Sequence, residues 1–201
     1  MSSRPLDQPV ATRLAVLLTE IFAPVVLIFA LLIIVAVQAT GDFLQGLVVG
    51  GVAAFFAGGL PYAILLLGIR RGRLTGRHLP EREERPAIMV VGLFSVSVGL
   101  AFMIWLDAPR TVYALVVAMV AGVAVALAIS SFWKISIHTA SAAGTVMVLV
   151  SVFGWQMLLS VPLVGAIAWA RVTLLDHTWT QVVVGAAVGA VVAGAVMSGL
   201  T

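Results

Sequence analysis

The sequence predicts an all-α, polytopic transmembrane bundle of about seven crossings, with six as the alternative count. Three observations carry that expectation. Of the 201 residues, 62% are hydrophobic and only 9% are charged, too little charge to cover a soluble domain of this size. The apolar runs repeatedly reach the roughly 20 residues a helix needs to cross a bilayer. The polar residues gather in a few short stretches between those runs. The chain has no cysteine, which excludes disulfides, thiol catalysis and thiolate metal sites.

Residues Met1 to Thr12 are polar and hold two prolines, which predicts a short, loosely ordered tail. The remainder, 13–201, reads as a single transmembrane domain. Its first helix is expected from Arg13 to Gln38. No small-residue cleavage pattern follows it, so it reads as a retained helix rather than a secretory signal. Pro24 is placed to kink it. Glu20, inside the same run, is either a carboxylate at interfacial water or a partner of a polar site.

A turn at Ala39–Asp42 leads to a second helix from Phe43 to Gly68. Its Gly46 and Gly50 have the spacing that lets helices approach closely. The longest polar segment follows, from Arg70 to Arg85, with six arginines. Its first part, Arg70 to Arg77, reads as a topology determinant and a contact for anionic lipid. The third helix is expected over Ala87–Leu106, the fourth over Thr111–Ser131, the fifth over His138–Gly154, the sixth over Trp155–Arg171 and the seventh over Trp179–Gly199. Trp105, Trp133, Trp155 and Trp179 lie near predicted helix ends and read as interfacial belt residues. Gly185, Gly189 and Gly194 of the last helix read as packing positions.

Seven crossings put the Arg70–Arg85 loop, the Lys134–His138 stretch and the Arg171–Gln181 stretch on one membrane face. That face would carry every basic residue except Arg110. The excess of positive charge predicts that this face, with the N-terminus, is cytoplasmic.

The stretch Phe132-Trp133-Lys134-Ile135-Ser136-Ile137-His138 holds the only lysine and one of three histidines. Such a cluster at the mouth of an apolar run suits a phosphomonoester, a dianion that needs several cationic donors. Cleaving a P–O bond without a metal needs a nucleophile and a proton donor, and two histidines can divide those roles. Arg82 and Arg85 share a face if their segment is helical, as do Lys134 and His138. Gln181 follows His177 by four residues, so its amide oxygen can accept the imidazole N–H and leave the other nitrogen free. His78 reads as an ordinary interfacial residue.

These clusters resemble the motifs of the type-2 phosphatidic acid phosphatase superfamily, Lys-x6-Arg-Pro, Pro-Ser-Gly-His and Ser-Arg-x5-His-x3-Asp. Here Arg85-Pro86 stands for the first, with His78 at the lysine position. Ile135-Ser136-Ile137-His138 stands for the second. Ala170-Arg171, His177 and Gln181 stand for the third, with glutamine at the aspartate position. The resemblance spans roughly residues 70 to 190. It implies a membrane lipid phosphatase that needs no metal or other cofactor. His177 would form a phospho-histidine, and His138 would protonate the leaving group. Arg85, Ser136 and Arg171 would hold the phosphate oxygens, with Arg82 and Lys134 added from charge and spacing. The implied partners are the bilayer and an amphiphile bearing a terminal phosphate, such as a polyprenyl phosphate or diphosphate, a polyprenyl-linked sugar phosphate or phosphatidic acid. No nucleic-acid partner is expected. With Gln181 replacing a carboxylate, the alternative is a protein that binds or transports such lipids with little or no turnover.

Overall fold

The computed structural model describes residues 9–71 and 85–201, with the side chains of residues 65, 69 and 85–93 outside the description. The described residues are helical and form no strand. The helices are α1 (Val10–Ile21), α2 (Pro24–Thr40), α3 (Phe43–Ala54), α4 (Leu60–Arg70), α5 (Arg85–Trp105), α6 (Arg110–Ser130), α7 (Ile137–Phe153), α8 (Val161–Thr173) and α9 (Trp179–Leu200). A π-helical turn, Phe55–Gly59, joins α3 to α4. A 3-10 segment, Trp155–Ser160, leads into α8.

Four of these helical stretches are long and apolar enough to cross a membrane: Phe43–Gly68, Arg110–Ser130, Trp155–Thr173 and Trp179–Leu200. The pair α1–α2 makes a fifth if its two halves count as one span. By length and composition the chain is therefore a helical membrane protein, with four to five candidate spans among the described residues, fewer than the seven crossings expected. The difference lies in α7, which has 17 residues and a length of about 26 Å at 1.5 Å per residue, and in α5, whose described apolar part is Phe94–Trp105.

The expected first helix is broken. α1 and α2 meet at a 43° bend. Pro24 has no N–H to continue the ladder and disfavours helical geometry at Ala23. The residues at the break close instead with shorter bonds, such as the N–H of Ala23 to the Glu20 carbonyl at 3.3 Å. Glu20 is exposed.

The described residues fold as two compact units, one within 1–31 and 117–201, the other within 32–116. In the second unit Gly46 and Gly50 lie against α2. A Cβ on Gly46 would collide with the backbone of Val37, and one on Gly50 would sit 2.9 Å from the Leu32 carbonyl. The small-residue spacing thus serves close helix contact. The π turn packs on α5. There the Ser95 hydroxyl donates to the Phe56 carbonyl at 2.7 Å, and the rings of Phe56 and Phe102 stack at 5.5 Å.

In the first unit α7 packs along α9, α1 packs on α8, and α8 touches both α7 and α9. The α7–α9 contact is made by glycines. A Cβ on Gly185 would lie 2.6 Å from the Ser136 carbonyl oxygen, and one on Gly189 would collide with the Ala140 backbone. Gly194 faces Met147. Because Gly185 and Gly189 present no side chain, the two helices come into backbone contact there, and their N-terminal ends are held together. Thr139, Ile167, Ala170, Val182 and Met197 fill the core of this unit. Outward-facing apolar residues such as Val183 and Val191 are more than half exposed, as suits a surface bathed in lipid.

Candidate functional site

The N-termini of α7 and α9 and the C-terminus of α8 meet at one end of the first unit. The backbone N–H of Ser136 donates to the Gln181 carbonyl at 3.4 Å, tying the entry of α7 to the first turn of α9. Ser136 is fully buried. Its hydroxyl accepts the N–H of Thr139 at 3.5 Å, the N-cap of α7. The position expected to bind phosphate therefore has its hydroxyl at the start of α7, between the cavity-lining residues Ile135 and Ile137.

The link between α8 and α9 is a tight turn. Leu175 adopts φ 59°, a left-handed conformation that is costly for a side chain of this kind. The Arg171 carbonyl holds the turn by accepting the N–H groups of Asp176 at 3.2 Å and His177 at 3.3 Å. The Arg171 guanidinium pairs with the Asp176 carboxylate, Nη2 to Oδ2, at 3.1 Å. Lys134 reaches over from the other strand of chain and donates its Nζ to the Asp176 carbonyl at 2.7 Å. Asp176 is thus held at both its charged and its backbone end.

α9 begins with a reciprocal capping box. Gln181 donates its N–H to the Thr178 hydroxyl at 3.4 Å, and Thr178 donates its N–H to Gln181 Oε1 at 3.1 Å. The same Oε1 lies 3.3 Å from His177 Nδ1. Because that oxygen already accepts from Thr178, it is an acceptor for the imidazole too. Nδ1 then carries the proton, and Nε2 holds the free lone pair. Burial lowers the His177 pKa below the usual imidazole range. The Gln181 bond opposes that shift, and the cations Lys134 and Arg171 reinforce it.

His138 and His177 both line one cavity of about 610 Å³. Lys134, Ser130 and Ser131 supply the other polar groups of its wall. Phe132, Trp133, Ile135, Ile137 and Pro24 supply the apolar part. Trp133 lines the cavity wall, and Trp105, Trp155 and Trp179 are exposed at helix ends. Arg171 lies near enough to both imidazoles to act on each electrostatically. Among the described residues, no group of three or more His, Asp or Glu side chains could hold a metal ion.

Of the residues expected at the site, Lys134, His138, Arg171, His177 and Gln181 come together here. Arg82 and His78 lie outside the described residues, as does the side chain of Arg85, although Arg85 itself opens α5. The ion pair of Asp176 with Arg171 was not foreseen. The five-residue interval was its only trace in the sequence, and a turn had to close before it could form. No protein-family model matches this chain, and no curated protein or solved structure does.

Proposed function

We propose that the chain is a metal-independent phosphatase of membrane lipid phosphates, acting through a phospho-histidine. The observation that carries this reading is the pair of imidazoles, His138 and His177, on the wall of a single cavity that Lys134 also lines. A phosphorylated headgroup suits the polar wall, and the first carbons of its tail suit Phe132, Trp133 and Ile137.

In the first step His177 Nε2 attacks phosphorus, forming an N–P bond as the P–O bond to the lipid breaks. The leaving oxygen takes a proton from His138. The arriving dianion supplies the negative charge that lets His138 carry that proton beside Arg171. In the second step water attacks the phospho-histidine, and His138 takes up the proton it lost. Phosphate departs, and both imidazoles are restored. Lys134 and Arg171 stabilise the charge that spreads over the phosphoryl oxygens. The resemblance to type-2 phosphatidic acid phosphatases supports these assignments.

The full topology in this reading has seven crossings, with α5 and α7 spanning as well, and places the site end at the cytoplasmic face of the cell membrane. An Arg77→Cys variant, in a chain with no other cysteine, would react with a membrane-impermeant thiol reagent only after the membrane is opened. Reaction on intact cells would overturn the orientation.

Phosphate release from a panel of polyprenyl phosphates, polyprenyl diphosphates and phosphatidic acid tests the activity. Wild type should release phosphate from at least one, and His177→Ala should not. No release from any, or equal release by His177→Ala, would overturn the proposal. The second reading, a lipid-phosphate binding or transport protein, is favoured by one feature: the partner of His177 is the neutral amide of Gln181. It predicts tight binding without release and little dependence on His138.

A further inference from the structure

We propose that Asp176 is a built-in competitor for phosphate: its carboxylate occupies the Arg171 guanidinium, and a phosphate binds there by displacing it. This inference rests on the phosphate-site reading above and adds a residue that governs affinity. The geometry supplies the argument. The Arg171 side chain is 14% exposed, whereas that of Asp176 is 45% exposed. The arginine is nearly enclosed by the unit, whereas the carboxylate has solvent on one side to move into.

A carboxylate and a phosphoryl group offer the same kind of paired anionic oxygens to a guanidinium. The single bond from Nη2 leaves other donors of the fork open. In particular, Arg171 Nε is buried and has no hydrogen-bond partner among the described residues. A buried donor without an acceptor is costly, and a second anionic oxygen would satisfy it. Asp176 alone does not.

The turn is built so that the carboxylate can leave without releasing His177. Lys134 grips the Asp176 carbonyl, not its side chain. The Arg171 carbonyl holds the N–H groups of Asp176 and His177, and Gln181 holds the imidazole. All three anchors persist when the Asp176 side chain swings toward solvent.

The test is binding of inorganic phosphate to the full-length protein in detergent micelles, by titration calorimetry, for wild type, Asp176→Asn, Arg171→Ala and the double variant. Asp176→Asn keeps the size of the side chain and the carbonyl that Lys134 uses. A partly exposed ion pair is worth up to about 1 kcal/mol, so the single variant should bind phosphate roughly two- to fivefold more tightly than wild type. In the Arg171→Ala background the same change should have no effect. If Asp176→Asn is not recovered folded, Asp176→Ala makes the same comparison. Equal or weaker binding by the Asp176 variant, with wild type still binding, overturns this inference alone. An equal gain in the Arg171→Ala background also overturns it, because the effect would then be general charge and not competition. No phosphate binding by any of the four proteins overturns the inference together with the phosphate-site reading.

Discussion

Gln181 Oε1 lies 3.3 Å from His177 Nδ1 and takes the N–H of Thr178 at 3.1 Å. One amide oxygen therefore does two things. It caps a transmembrane helix, and it fixes which imidazole nitrogen is free. Gln181→Ala should remove both. Loss of the cap should lower stability by about 1 kcal/mol, read as a fall in the unfolding temperature. Activity should fall further than that loss accounts for, because the imidazole would rotate freely. Gln181→Asn, whose shorter side chain cannot span the same gap, should resemble the alanine variant. Full activity in either would show that the amide does not orient His177.

The pH dependence follows from the burial of the same imidazole, which the Gln181 contact opposes. Burial lowers the His177 pKa from its ordinary value of about 6.5. The folded protein keeps this imidazole neutral at a pH where the unfolded chain has begun to protonate. Below about 6.5 the unfolded state binds the extra proton, so this group's contribution to stability declines as pH falls through that value toward the folded pKa. The acid limb of kcat/KM that belongs to His177 should likewise lie below about 6.5. Gln181→Glu puts an anion beside Nδ1, which favours the imidazolium and should move that limb upward. A limb that stays in place in Gln181→Glu would assign it to another group.

The helical segments were largely legible in the sequence because apolar runs bounded by Trp, Gly, Ser and Arg mark them on both sides. The last helix, expected over Trp179–Gly199, is observed over Trp179–Leu200, and the fourth, expected over Thr111–Ser131, over Arg110–Ser130. Hydropathy does not register breaks in hydrogen bonding. It therefore missed the full interruption before Pro24, the π turn at Phe55 and the 3-10 segment after Gly154. At the site, spacing along a helix placed Gln181 against His177, since four residues make one turn. Ser136 shows the limit of such reasoning. A serine at the start of a helix presents its hydroxyl to the same free N–H groups whether it caps them or joins them in binding an anion, so its place in the sequence does not separate the two. The Arg171–Asp176 pair depends on a left-handed Leu175, a conformation that nothing in that residue's chemistry advertises.

The contact between α7 and α9 should tolerate little added volume. A Cβ at Gly189 would collide with the Ala140 backbone, which cannot move as a flexible side chain can. Gly189→Ala should cost about 1–3 kcal/mol and lower the unfolding temperature in detergent. Because the two helices would separate at the Ser136–Gln181 link, the distance between His138 and His177 should grow, and activity should fall with stability. Gly165→Ala, at a helical position where a Cβ meets nothing within 4 Å, is the control and should lower neither. Equal behaviour of the two variants would show that close α7–α9 contact does not hold the site.

The division of labour between the two imidazoles can be tested through the leaving group. If His138 gives a proton to the departing oxygen, its importance depends on how basic that oxygen is. An alkyl or polyprenyl phosphate leaves as a strongly basic alkoxide and needs the proton, whereas a nitrophenyl phosphate leaves as a weakly basic phenolate and does not. His138→Ala should therefore lose about 10²- to 10⁴-fold in rate on the lipid phosphate but much less on the nitrophenyl ester. His177→Ala should lose activity on both, because the nucleophile is needed whatever departs. The two substrates thus separate proton donation from simple damage to the cavity, since damage would lower both rates together. A His138→Ala variant equally impaired on the two esters would remove His138 from the acid role and leave it as a wall of the binding cavity.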